Sequence, residues 1–198
     1  MDVGEMQRKL SKRAEEEPNH RFGDLYSLLY NMDWLREAHK HVNTNAGRET
    51  AGIDGKTMRR FNENLDENLG RVREHLRAKT FEPVPVRRVF IPKENGKRRP
   101  LGIPSITDRI VQEALRMILE PIWGADFSIH SYGFRPNGST YDAISYIGTR
   151  LTNTGWTYQW VIEGDIASYF DNIQHHLMLE KLARCVDDAE VLHLLTQT

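Results

Sequence analysis

The sequence predicts a helix-rich α+β fold, on three observations. Apolar residues recur at helical spacing from Leu25 to Leu76 and again from Ile110 to Leu119. A proline-bounded basic stretch, Phe81 to Ile103, interrupts that pattern and carries a turn signal at Asn95-Gly96. A short apolar run, Trp160-Val161-Ile162, ends three residues before Asp165.

The elements follow in order. Residues 1–20 are polar and end at Glu15-Glu16-Glu17-Pro18, which reads as a frayed arm. Leu25, Leu28, Leu29 and Met32 mark a first helix, and Leu35, Ala38 and Val42 a second. A loop rich in Asn, Thr and Gly runs from Asn43 to Gly55. Thr57 is a fitting N-cap for a helix carrying Phe61, Leu65, Leu69, Val72 and Leu76. Pro83 and Pro85 forbid helix, and Val86 to Ile91 partly alternates basic and apolar residues. With the turn at Glu94-Asn95-Gly96-Lys97 and a second strand through Leu101 and Ile103, this is a β-hairpin with a basic tip. Ser105 or Thr107 starts a strong helix with Ile110, Val111, Ala114, Leu115, Ile118 and Leu119 on one face. Asp108, Arg109, Gln112, Glu113 and Arg116 fall on its polar face, and Pro121 stops it. A Gly/Pro/aromatic loop, Phe127 to Gly138, leads to a helix with Ala143, Ile144, Ile147 and Leu151. A strand at 158–163, a turn at Asp165 and a helix from near Ile173, with His175 and His176 in its first turn, complete the chain.

Composition narrows the function classes. The 198 residues are 39% hydrophobic and 28% charged, enough for one or two small domains with a real core. No stretch approaches a membrane span, and the charged start has no apolar signal region. The single cysteine, Cys185, forms no internal disulfide, which fits a reducing, cytoplasmic compartment. Net charge is −1, yet residues 81–135 hold nine Lys/Arg against six Asp/Glu. Arg87 to Arg99 alone packs six cations against Glu94, and local clusters decide phosphate binding more than the total does. Arg87, Arg88, Lys97 and Arg98 are therefore candidate nucleic-acid contacts. The eight histidines show no metal-ligand spacing with one cysteine. There is no Walker loop, dinucleotide fingerprint or arguable Ser/His/Asp set.

A carboxylate at a strand end is well placed to hold a divalent metal, because the sheet fixes it while its head leaves the core. Asp165 is that carboxylate. The hairpin supports two readings. Its cations close over a triphosphate, with Lys93 and Arg99 brought to one end by the turn, or they solvate an edge and prevent aggregation.

Four motifs then resemble one family, the group II intron reverse transcriptases, or maturases. They are Thr50-Ala51-Gly52-Ile53-Asp54-Gly55; Arg88-Val89-Phe90-Ile91-Pro92-Lys93 through Pro104, with Thr107-Asp108-Arg109; Ser131-Tyr132-Gly133-Phe134-Arg135-Pro136-Asn137-Gly138-Ser139; and Glu163-Gly164-Asp165-Ile166 with Phe170-Asp171-Asn172-Ile173. They stand in the family's order over roughly residues 25 to 190.

The resemblance implies an RNA-directed DNA polymerase using Mg²⁺ and dNTPs, with RNA template or intron RNA and a DNA or RNA primer as partners. It implies fingers at 21–155, helices plus the basic hairpin, and the start of a palm at 156–198. Lys93 and Arg99 correspond to residues on the triphosphate. Asp165 corresponds to the first metal-binding aspartate, with the Ile166 carbonyl as a further ligand to the dNTP–metal site. Phe170 stands where an aromatic excludes a ribose 2′-OH; Tyr169 is the neighbouring alternative, and a core aromatic is the plain one. Arg135 contacts template or the nascent base pair, or pairs with Asp126 or Asp142. Arg109 is a surface or template-backbone cation. Asp171 reads as an N-cap.

One family feature does not occur. No Tyr-X-Asp-Asp follows Asp165, and Asp187-Asp188 reads as an interhelix loop or N-cap. The expectation is thus a truncated, catalytically inactive unit whose open palm edge favours self-association. The alternatives are a non-catalytic RNA-binding module built like a polymerase, and a reverse transcriptase domesticated outside introns.

Overall fold

The computed structural model describes residues 1–92, 96, 98–136, 138–153, 160–166, 169 and 172–197. The chain forms two compact units, Met1–Ala125 with His176–Thr198, and Asp126–His175.

The first unit is built around one helix. In chain order it holds α1 (Val3–Glu16), α2 (Tyr26–Leu29), α3 (Met32–Thr44), α4 (Met58–Asn62), α5 (Leu65–Arg77), β1 (Arg87–Pro92), β2 (Arg98–Ile103) and α6 (Ile106–Gly124). After the second unit and its α7 (Thr140–Asn153), α8 (His175–Cys185) and α9 (Ala189–Gln197) return to it. Helix α6 buries Ile110, Val111, Ala114, Leu115, Met117 and Ile118 along one stripe and packs against α1, α2 and α3. Trp34, wholly buried in α3, donates its indole N–H to the Ala114 carbonyl at 3.0 Å, which fixes the α3–α6 register. The N-caps arise where small polar residues precede apolar stripes: Asn31 for α3, Thr57 for α4 and Ser105 for α6.

Two expectations fail here for physical reasons. Residues 1–20 do not fray. Asp2 caps α1 by accepting from the Glu5 amide at 2.8 Å, and Leu10 and Ala14 are buried in the core. Nor does Pro121 end α6, which runs on to Gly124. A mid-helix proline leaves the carbonyl four residues earlier without its donor. That carbonyl is Met117 O, and the Gln7 side-chain amide of α1 donates to it at 3.1 Å. The partner supplied from another helix lets α6 pass through its proline. Gln7→Ala should therefore cost about 1–2 kcal/mol despite alanine's better helix propensity. Urea denaturation will show it as a lower midpoint with unchanged slope.

The strands form a two-stranded antiparallel hairpin, with Arg87 opposite Ile103, Ile91 opposite Arg99 and Pro92 opposite Arg98. Only Ile103, at its root, is buried; Phe90, Ile91 and Leu101 are exposed. Gly96 takes a φ of +77°, a left-handed backbone that glycine adopts freely.

The expected strand at 158–163 is not formed over its described part, 160–163. Trp160, Val161 and Ile162 are 90%, 75% and 97% exposed, with no ladder among the described residues to satisfy their backbone. In the second unit, Ser139 and Asp142 cap α7 reciprocally: the Asp142 amide donates to Ser139 Oγ at 3.2 Å and the Ser139 amide to Asp142 at 2.9 Å. Among the described residues no helix is long and apolar enough to cross a membrane.

Candidate nucleic-acid and nucleotide site

The hairpin gains its position from an anchored root. Asp108 lies one turn into α6 and is 3% exposed, not on the polar face that periodicity assigned it. Its amide donates to Ser105 Oγ at 3.1 Å and its carboxylate accepts from that hydroxyl at 2.8 Å. Burial raises the Asp108 pKa; hydrogen bonds from Ser105 and the Val84 backbone oppose this, and Asp54 reinforces it.

The linkage has a definite sign. A raised folded pKa means that the protonated form is the better accommodated one. The contribution of Asp108 is fully present below its unfolded pKa and is lost as pH rises through the folded value. Subtracting the stability–pH curve of Asp108→Asn from that of the wild type should isolate this fall with rising pH.

Arg109 performs a structural task that its sequence position does not announce. Its guanidinium donates to three backbone carbonyls: Pro104 at 3.1 Å, Gly47 at 3.0 Å and Thr50. Arg87 Nε donates to Ala51 O at 2.9 Å. Between them Gly52 is buried so closely that an added Cβ would lie 2.7 Å from Ser105 N and Cα. The Thr50–Gly55 loop is thus clamped to the root of the hairpin, and both arginines spend donors on it.

The register sorts the remaining hairpin cations. Cross-strand partners share a face, so Arg99 stands with Ile91 and Arg87, while Arg98 stands with Pro92, Phe90 and Arg88. The basic residues occupy both faces. Arg88, Arg98 and Arg99 are exposed, and their side chains make no ion pair or hydrogen bond among the described residues. Lys93 and Lys97, expected near the tip, lie outside the described residues.

Asp165 and Ile166 belong to the second unit, in exposed non-helical chain, with Ile166 68% exposed. Asp165 has no partner among the described residues. An unpaired, hydrated carboxylate suits a metal ligand. Yet among the described residues no group of three or more His, Cys, Asp or Glu could hold a metal ion, so they do not by themselves complete a Mg²⁺ site. Phe170 and Asp171 lie outside the described residues; Tyr169 is half-exposed and its carbonyl accepts from the Asn172 amide at 3.1 Å. The Arg135 guanidinium stacks 4.7 Å over the Phe127 ring, while Asp142 serves the α7 cap.

Asp187-Asp188 has a structural role. Asp188 Oδ1 accepts from the Glu190 and Val191 amides at 3.1 Å each, capping α9, and Oδ2 accepts from the Tyr26 amide at 2.8 Å. Asp187 pairs with Arg21 at 2.7 Å.

Sequence reasoning missed Gln7, Gly52 and the buried Asp108. The Ser105-Ile106-Thr107-Asp108 spacing, a capping-box pattern, was the available signal for the last.

Comparison with known proteins adds the following. Residues 91–194 match the family profile described as reverse transcriptase (RNA-dependent DNA polymerase). Protein YkfC of Escherichia coli K12 is 43% identical over 199 residues, covering all of this chain and 52% of YkfC. The group II intron-encoded protein LtrA of Lactococcus lactis subsp. cremoris is 35% identical over 188 residues, covering 94% of this chain and 30% of LtrA. The putative COX1/OXI3 intron 1 protein of Saccharomyces cerevisiae is 34% identical over 176 residues, covering 86% of this chain and 20% of that protein. The chain therefore spans about half the length of YkfC and under a third of LtrA.

Proposed function

Because this chain belongs to the reverse transcriptase family, whose members generally use divalent metal ions, we propose that it forms the fingers and first palm residues of an RNA-directed DNA polymerase of the group II intron type. The observation that supports this most is the exposed arginine set, unpaired among the described residues, on a hairpin whose root is fixed to α6 and to the Thr50–Gly55 loop.

The reaction joins a primer 3′-hydroxyl to the α-phosphate of a dNTP and releases pyrophosphate. Negative charge must be held on the leaving phosphates. On this reading Lys93 and Arg99 supply the positive charge that offsets it, with Ile166 and Phe170 at the incoming nucleotide. Arg88, Lys97 and Arg98 meet the RNA backbone, and intron RNA is a second ligand of the same surface. Arg87 and Arg109 act by holding the root, and Arg135 by ordering its own loop. Asp165 contributes a carboxylate toward Mg²⁺, and no step is derived through the metal. These 198 residues carry no second aspartate motif and by themselves are proposed not to polymerise.

RNA binding tests the hairpin directly. Arg88→Ala with Arg98→Ala should weaken binding to unrelated RNA sequences about equally. The salt dependence should flatten by about one unit per lost phosphate contact. Filter binding across a KCl series reads both. Unchanged affinity and slope would return the hairpin to a solvated edge.

A further inference from the structure

A second basic segment lies outside the hairpin. Residues 56–79 carry seven Lys/Arg against four Asp/Glu, a net of +3 equal to that of residues 81–135. The fold gives this segment a shape. Helices α4 and α5 and the chain leaving α5 enclose a cleft of about 300 Å³ within the first unit.

The cleft wall is built by the end of α5. Lys79 takes a left-handed φ of +57°, a conformation normally left to glycine. The Lys79 amide then bonds Leu76 O at 3.0 Å and the Thr80 amide bonds His75 O at 2.9 Å, which reverses the chain. Thr80 and Phe81 are thereby folded back beside α5, where both line the cleft. Lys79 Nζ also pairs with Glu190 at 2.7 Å.

The lining divides by chemistry. Val72 and the half-buried Phe81 give an apolar floor. Lys56, Arg71 and His75 give an exposed basic rim, with Glu82 the sole acid among the lining residues. Arg71 and His75 are one helical turn apart and share a face of α5. Lys56 makes no ion pair among the described residues. Thr80 Oγ1 holds His75 Nδ1 at 3.3 Å, which leaves Nε2 without a partner among the described residues. Arg71 is half-engaged by Glu67 of the same helix.

We propose that this cleft binds one nucleotide of single-stranded RNA, its phosphate against Lys56 and Arg71 and its base against Phe81. This site rests on the reading of the protein as an RNA-handling polymerase but uses none of the hairpin residues. A cationic rim over an aromatic floor is the arrangement that tracks a backbone while stacking a base. The volume suits one nucleotide and not a helix or a duplex groove.

The test uses the whole chain and a short labelled single-stranded RNA, read by fluorescence anisotropy across a KCl series. Lys56→Ala with Arg71→Ala should weaken binding by about tenfold and reduce the salt slope by roughly one unit or more. Phe81→Leu keeps an apolar floor and removes the ring. It should weaken RNA binding about fivefold, within the range of one lost stack, while leaving competition by inorganic tripolyphosphate unchanged. Matched melting temperatures establish that all variants fold. Repeating the cleft substitutions in the Arg88→Ala, Arg98→Ala background separates the two sites. A further fall there supports the cleft even if the hairpin variants alone do nothing. No change in affinity or slope from the Lys56, Arg71 pair overturns the proposal. A charge effect with no Phe81 effect overturns it as well, since it describes a phosphate patch or an acidic-peptide surface and not a nucleotide site.

Discussion

On the proposed reading, Asp165→Asn should lower RNA-templated primer extension by about 10³-fold or more in a protein that joins this chain to a second aspartate motif. That is the scale on which a single charged group acts in phosphoryl transfer. The substitution is nearly isosteric and the residue is exposed, without a partner among the described residues. Folding should therefore shift by no more than about 0.5 kcal/mol. The change is confined to one negative charge, so a loss of extension at unchanged melting temperature assigns that charge to the chemistry. Primer extension with radiolabelled primer on an RNA template reads it. Undiminished product from the variant would sink the role given to Asp165 while leaving RNA binding by the hairpin untouched.

Gly52→Ala is expected to cost about 2–3 kcal/mol, the upper range for forcing one methyl into a filled space. The new Cβ would meet Ser105 N and Cα at 2.7 Å and Pro104 O at 2.9 Å, all backbone atoms at the cap of α6. A side chain could rotate away; a capped helix start cannot. The loop must lift, and Arg109 then loses its acceptors at Gly47 and Thr50. Gly47→Ala is the matched control, because nothing lies within 4 Å of its added Cβ. Chemical denaturation should separate the two variants. Equal stability would mean that the loop is not clamped against α6 as described.

Much of the fold was legible because its signals are local. Thr57 caps α4 and Ser105, one of the two candidate residues, caps α6, although the single helix expected from Thr57 through Leu76 breaks after Asn62 into α4 and α5. The stripes of α3, α5 and α6 are buried, and the Pro-bounded basic segment is a hairpin. The other failures share a cause: each depends on a partner distant in the chain. Pro121 is tolerated because of Gln7. Residues 1–20 order because α6 offers them a face. Asp108 is buried with its carboxylate satisfied by the Ser105 hydroxyl. The run at 160–163 reads as a strand, yet no strand lies beside it among the described residues. For the candidate site, residue type and order pointed to Asp165 and the hairpin arginines. Nothing local distinguished Arg109, which binds the protein's own carbonyls, from Arg98, whose side chain binds none among the described residues.

The tie between Phe22 and Val186 sets an order on biosynthesis. The Phe22 amide bonds Cys185 O at 2.7 Å, and its carbonyl accepts from the Asp187 amide at 2.8 Å. Both partners are made more than 160 residues after Phe22. At ribosomal rates of about 5–20 residues per second, that interval is roughly 10–30 s. Throughout it the nascent first unit presents Phe22, Leu25 and Tyr26 without α9, whose Val191 and Leu194 help bury the same core. The second unit is translated entirely within this wait. Ribosome pauses placed before codon 186 should therefore prolong chaperone occupancy of the nascent chain, whereas pauses placed after α9 has emerged should not.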